Sequence, residues 1–326
     1  MGLSSTAMLP FGAYPPTRLQ AAVRDVGQHL PRNWPGRRFS AWLRSLMKST
    51  SRRPIDVTVL GQRMRLNLAD NACERRLMVT PQFFDPEELE ILRSVVRSNF
   101  HFIDLGANVG TYSIFVGTLA GPDARILAVE PQARLLNRLR ENIAFNNLDI
   151  AIAPVAVGDR EGSIEFAVDS SNLGFTSINT DRRGRGEHSI IRMPMRKLLG
   201  LIEEHGFERI DALKVDIEGA EDLALLPFME EAPESLWPRL IILEDSRSAW
   251  RRDCVAFLVE RGYERIPTSS GNVVLKLPVE PAAAANSLRA SRRHADRLVE
   301  GNLLGTDAAA EGHRLDAGGE GLGERL

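Results

Sequence analysis

Cysteine is nearly absent. Cys73 and Cys254 are the only two in 326 residues, far apart and without a CxxC spacing. That pattern excludes a disulfide framework and a cysteine-based zinc site, and it leaves two reduced structural thiols. No apolar run approaches the ~18 residues needed to cross a bilayer, and no charged segment followed by an apolar stretch opens the chain. A cytoplasmic protein is the expectation. A field of one sign is missing as well: 41 Lys and Arg face 43 Asp and Glu, a formal net charge of −2. Nothing in that balance asks for nucleic acid as a partner. Lysine itself is scarce, with four against 37 arginines. What remains is ordinary globular material, 43% hydrophobic and 26% charged, enough for one large α/β domain or two small ones.

The charge is unevenly spread. Residues 1–53 hold nine Lys or Arg and a single acid, Asp25, and read as a basic N-terminal arm. Within it Phe39, Trp42, Leu43, Leu46 and Met47 share one helical face. Such a stripe ordinarily packs on its own domain, with Arg37, Arg38, Arg44 and Lys48 solvated; membrane-surface contact through residues 37–53 is the disfavoured alternative. Residues 56–68 alternate, break at Gly61-Gln62 and resume, a β-hairpin. Asp85-Pro86-Glu87-Glu88 then opens a helix, with Asp85 as the cap and Glu88 completing a capping box. Residues 54–280 form the main domain, and residues 281–326 are an Ala/Gly/Glu/Arg-rich tail, partly disordered by composition.

From His101 onward strand and helix patterns alternate. The strand candidates are 102–105, 125–130, 151–157, 210–216 and 240–244, with helices over 110–119 and 134–146 between them. This alternation predicts an α/β fold, a parallel sheet with helices on both faces. Extra strands are expected at 162–168 and 189–193, and a closing hairpin at 263–266 and 272–277. The insertion around Phe175 and Thr176 is placed to shape an acceptor pocket.

The densest information lies in Phe102-Ile-Asp-Leu-Gly-Ala-Asn-Val-Gly110. An apolar strand ends in a carboxylate, Asp104, and turns through Gly106, Asn108 and Gly110 into a helix. Ligands of open α/β sheets bind beyond such strand ends. The spacing is not the G-x-G-x-x-G that seats a pyrophosphate on helix amides, and Asp104 would repel phosphate while favouring an ammonium. Glu130 closes the next strand, 20 residues after Gly110, where a carboxylate can accept both ribose hydroxyls. Asp159 follows the third strand, near the expected position of an adenine. A phosphate-free cationic nucleoside, S-adenosylmethionine, suits this set.

Leu213-Lys-Val-Asp-Ile-Glu-Gly-Ala-Glu221 is the most distinctive run. Alternation puts Lys214 and Asp216 on one side of the strand, and a lysine in a buried strand needs a partner. Asp216, Glu218 and Glu244 stand at neighbouring strand ends and form a candidate catalytic acidic cluster with Lys214. Asp216, Glu244 and Asp245 could alternatively hold a hard cation such as Mg²⁺. Asp-x-Gly-Ala-Asn-x-Gly at 104–110, Glu-Pro at 130–131, Ala-Val-Gly-Asp at 156–159 and Lys-Val-Asp-Ile-Glu-Gly-Ala-Glu at 214–221 together resemble the FkbM family of methyltransferases, over residues 57–277. The resemblance implies a class I, Rossmann-like seven-stranded sheet, mostly parallel with a terminal antiparallel hairpin. It also implies methyl transfer to hydroxyl oxygens of sugars or natural products, so that a small-molecule or glycan hydroxyl is the expected partner. The competing readings are an NAD(P)-binding oxidoreductase and a non-catalytic S-adenosylmethionine-binding scaffold. Oligomeric state is not encoded in these features.

Overall fold

The computed structural model describes residues 8–50, 53–169, 176–177, 188–268 and 271–278, with the backbone alone at 166–169, 176–177 and 188–189. The chain divides into two units, Met1–Leu277 and Pro278–Leu326, and every element named below belongs to the first. The tail expected at 281–326 lies outside the described residues, as does Phe175.

Two helices come first, α1 (Arg18–Gln28) and α2 (Trp34–Thr50), followed by the hairpin β1 (Ile55–Val59) and β2 (Gln62–Leu66), then α3 (Ala72–Val79) and α4 (Pro86–Val95). From β3 (His101–Leu105) the chain alternates through α5 (Thr111–Ala120), β4 (Arg125–Val129), α6 (Ala133–Phe145) and β5 (Ala151–Ala153). An insertion supplies β6 (Ala156–Val157), β7 (Gly162–Asp169), β8 (Thr176–Ser177) and β9 (His188–Arg196). Alternation resumes with α7 (Leu198–Glu204), β10 (Ala212–Val215), α8 (Glu221–Glu231), β11 (Leu240–Glu244) and α9 (Cys254–Glu260), and the unit closes on the hairpin β12 (Glu264–Ile266) and β13 (Asn272–Lys276).

Seven strands make one sheet in the order β12-β13-β11-β10-β3-β4-β5. β5, β4, β3, β10 and β11 are parallel; at one edge β13 runs antiparallel between β11 and β12. This is the seven-stranded sheet with a terminal hairpin that the motifs implied. Period-two alternation sorts each strand between two cores. Phe102, Ile126, Ala128, Ala212, Ile242 and Val274 face the first, with the β1–β2 hairpin, α5 and α6. Ile103, Leu105, Leu127, Val129, Leu213 and Leu243 face the second, against α7, α8 and α9. Burial on both faces is why these strands read as nearly unbroken apolar runs.

Two expectations change. The third strand, read as continuous over 151–157, splits. β5 stays in the main sheet, while β6 pairs with β9 in a separate four-stranded sheet, β6-β9-β7-β8. Pro154 sits at the break and has no amide proton to offer a ladder. Asp85 does precede α4, but in a left-handed conformation (φ 37°) without a side-chain cap bond. Its carboxylate instead accepts a hydrogen bond from the Tyr112 hydroxyl at 3.0 Å.

The basic N-terminal segment packs onto the first core. Leu43 and Met47 of α2 and Val23 of α1 are buried in it, while Phe39 and Trp42 stack on each other at the surface. The segment before α1 is pinned by a buried ion pair. Arg65 binds Asp56 through Nε at 2.8 Å and Nη2 at 3.0 Å, and Asp56 also accepts the amides of Gly12 and Tyr14. The rings of Tyr14 and Phe145 lie 4.8 and 4.6 Å from the same guanidinium. Among the described residues no helix is long and apolar enough to cross a membrane.

Candidate functional site

The sheet order reverses between β3 and β10. The chain leaves β3 toward β4 and β5 on one side and returns through β10 and β11 on the other. A crevice must open outside the carboxyl ends of these two strands, and a cavity of about 280 Å³ lies there. Its lining draws on the β3–α5 turn, the end of β4, residues 155–157, the end of β10, and α3 with the segment leading to α4.

The β3–α5 turn is held in place from both sides. Gly106 has φ +77°, and a Cβ there would lie 1.9 Å from the Asp216 carbonyl oxygen, so only glycine lets this turn rest against the end of β10. Asn108 is also left-handed, φ 53°. Its amide donates to Glu130 Oε2 at 2.9 Å, and its side chain accepts from Asn71 Nδ2 at 2.8 Å. Gln132 donates its amide to the other Glu130 oxygen at 2.9 Å. Glu130 is therefore oriented by two backbone amides, one from each flanking turn. Burial nevertheless raises its pKa to about 7, with those two amides pulling the other way.

Asp104 is buried in β3. Its Oδ2 accepts from the Ser113 hydroxyl at 2.6 Å and the Ser113 amide at 3.2 Å, while Oδ1 is buried without a hydrogen-bond partner. Burial raises the pKa of Asp104, against the pull of Lys214. Asp104 is among the residues lining the cavity, and a carboxylate with an unpaired oxygen has the chemistry to take an ammonium. The residues present thus fit a cationic nucleoside: an acceptor for its ammonium in Asp104 and an oriented carboxylate for its ribose in Glu130.

Lys214 stands beside Asp104 in the β3–β10 register. Its ammonium donates to Asp216 Oδ2 at 2.8 Å and lies 5.0 Å from the Tyr112 ring centre. Burial alone would strip the charge from this lysine; Asp216, Asp104 and Asp85 outweigh it and hold its pKa above the ordinary value. Glu218 follows in a left-handed conformation, φ 58°. Burial, then the neighbouring carboxylates Glu244, Asp216 and Glu221, push it up to about 8. Glu244 is raised to about 7 by burial and then by Asp216 and Glu221.

Asp104, Gly106, Asn108, Glu130, Lys214, Asp216 and Glu218 all line the one cavity. Gly110, Asp159 and Glu244 stand outside its lining. Gly110 caps α5 with φ 91°, and Asp159 pairs with Arg160 at 3.2 Å. Among the described residues no group of three or more His, Cys, Asp or Glu is placed to hold a metal ion. Asp245, a candidate cation ligand by sequence, is taken instead by both Nε and Nη2 of Arg247 at 2.7 Å.

Four lining residues carry no such signal in the sequence: Cys73, Arg76, Asp85 and Tyr112. Asp85 is legible there only as a helix cap. Arg76 lies 3.7 Å from it. Burial pushes the Cys73 thiol up to about 12, which keeps it an inert wall rather than a nucleophile.

The chain is similar in sequence to known methyltransferases. Residues 104–265 match the family described as the methyltransferase FkbM domain. The AMB antimetabolite synthetase AmbE of Pseudomonas aeruginosa is 27% identical over 201 residues, half of this chain but only 9% of that much longer protein. The methyltransferase sdnD of Sordaria araneosa is 24% identical over 195 residues, 51% of this chain and 74% of its own length. A solved FkbM methyltransferase from Methylobacillus flagellatus shares 16% identity over 64% of this chain and 55% of that one, with a TM-score of 0.36.

Proposed function

We propose, from the premise that residues 104–265 make this chain a member of the FkbM methyltransferase family, that it methylates a hydroxyl oxygen of a small molecule or glycan. In this reading residues 54–280 are the catalytic domain. S-adenosylmethionine, when bound, supplies a methyl group activated by its sulfonium. Asp104 Oδ1 receives the ammonium of that donor and Glu130 its ribose hydroxyls, with Asn108 and Gln132 keeping the Glu130 carboxylate in place.

The observation that carries the oxygen assignment is the carboxylate group at the end of β10. A hydroxyl acceptor must give up its proton as its oxygen forms the new bond, so a base beside it helps. Asp216, with one oxygen fixed by Lys214 at 2.8 Å, orients the hydroxyl. Glu218, with its pKa raised to about 8 by burial and by the carboxylates around it, takes the proton. Lys214 anchors Asp216 through that bond and Glu218 handles the proton, so the two carboxyl groups have different tasks. Alignment of the two reactants in this walled cavity supplies the remainder.

Calorimetric titration with S-adenosylhomocysteine and, separately, with NAD tests the donor. The first should bind and the second should not; binding of NAD alone sinks the reading. A screen of hydroxylated sugars and polyketides, read by S-adenosylhomocysteine formation and by NMR of the product, tests the acceptor atom. A methyl group found on nitrogen or carbon would refute oxygen transfer and leave the donor assignment standing.

A further inference from the structure

A second cavity, about 260 Å³, adjoins the first and shares Arg76 and Asp85 with it. Its walls carry four arginines, Arg32, Arg37, Arg44 and Arg76, against two acids, Asp85 and Glu87. Arg44 is the telling member. It is half-buried on α2, and its guanidinium donates to two neutral hydroxyls, Ser40 Oγ at 3.0 Å and Thr80 Oγ1 at 3.2 Å. Ser40 is itself buried and fixed by its own bond to the Arg37 carbonyl at 2.7 Å. The charges felt by Arg44 are those of Arg76 and Arg75, both repulsive, and together with burial they lower its pKa. A half-buried guanidinium oriented by two neutral hydroxyls and set near like charges is placed to gain from an oxyanion. The planar fork of arginine matches phosphate oxygens two at a time. Arg76 and Asp85 carry this pocket to the donor cavity, where Asp85 accepts from Tyr112 and feels the charge of Lys214.

We infer that the arginine pocket seats a phosphate group carried by the methyl acceptor, so that the substrate class is a phosphorylated hydroxyl compound. The word acceptor rests on the methyl-transfer reading, and the phosphate on the pocket alone. Four arginines against two acids suit a dianion better than a neutral sugar or polyketide.

Inorganic pyrophosphate, titrated calorimetrically into full-length protein saturated with S-adenosylhomocysteine, is the direct probe. Saturable binding is expected. Arg44→Met and Arg37→Met should each weaken it about tenfold while leaving S-adenosylhomocysteine affinity unchanged. Arg44→Lys, which keeps the charge and not the fork, should fall between wild type and Arg44→Met and serves if the methionine variant does not fold. Glycerol 3-phosphate should bind where glycerol does not. Sedimentation with phosphatidylglycerol vesicles separates the two sources of such a group: Arg44-dependent sedimentation assigns a lipid headgroup, and its absence a soluble phosphate ester. Pyrophosphate that fails to bind, binds Arg44→Met as tightly as wild type, or displaces S-adenosylhomocysteine overturns the inference. If S-adenosylhomocysteine fails to bind while pyrophosphate still requires Arg44, the donor assignment falls and the phosphate pocket stands.

Discussion

Two adjoining cavities of similar size, about 280 and 260 Å³, have opposite electrostatics. The first is walled by carboxylates whose pKa values burial drives upward; in the second, a half-buried guanidinium stands near other arginines. Each also pairs charges of its own, Lys214 with Asp216 at 2.8 Å in the first and Arg76 with Asp85 at 3.7 Å where the two meet. The groups left perturbed beyond those pairs mark where a ligand is to be sought. The difference lies in construction. The acidic mouth is set on parallel strand ends with almost no freedom, while the basic pocket is set on helices outside the sheet.

Asp216→Asn bears hardest on this contrast. Loss of the orienting carboxylate should lower turnover about 10²-fold in the assay that identifies the acceptor, with S-adenosylhomocysteine affinity intact. An active Asn variant would show that Glu218 or another group orients the hydroxyl without it. Asp104→Asn should do the reverse. It removes the orphaned oxygen's charge while Lys214 keeps its bond to Asp216. Donor affinity should fall by roughly 2 kcal/mol, about 30-fold, measured by calorimetry; unchanged affinity would remove Asp104 from the donor site.

The same contrast explains what the sequence alone can show. Asp104, Gly106, Asn108 and Glu130 lie within one strand–turn–helix–strand unit, so their spacing along the chain maps directly to their spacing in space. Lys214 and Asp216 alternate on one strand, and period two is enough to pair them. Asp85 and Arg76 are out of reach for the opposite reason. Asp85 has a local role on offer, capping α4, and its actual role depends on Tyr112, 27 residues away. On α2, Arg37, Arg38 and Lys48 are exposed as a solvated face requires; Arg44 alone is half-buried, out of reach of the sequence because nothing local reveals that α2 lies beside α3. The split of the third strand is hidden because an apolar run through Pro154 has the same period whichever sheet its second half joins.

Donor binding should also depend on pH in a direction the geometry fixes. Glu130 accepts hydrogen bonds only from its ionised form at full strength, and its pKa stands at about 7. Acidification through that value protonates it. S-adenosylhomocysteine affinity should therefore be level above pH 7 and fall below it, by at most about tenfold per unit. Glu130→Gln should bind weakly at every pH and show a flatter profile. A wild-type profile that is flat from pH 5 to 8 would break the assignment of Glu130 to the ribose.

The smallest effect is the most discriminating for the basic pocket. If Arg44 were a structural residue, its two bonds to Ser40 and Thr80 would stabilise the contact between α2 and α3, and Arg44→Met would lower the melting temperature. If it is instead held for an absent anion, the variant sheds repulsion from Arg76 and Arg75 and the cost of burial. Solvent screens this half-exposed side chain, so the gain is modest, about 0.5 kcal/mol, or roughly 1–2 °C in a chain of this size. The sign decides, and calorimetry with and without pyrophosphate reads it twice: at equal concentration the ligand should raise the melting temperature of wild type more than that of Arg44→Met, because the variant binds it about tenfold more weakly.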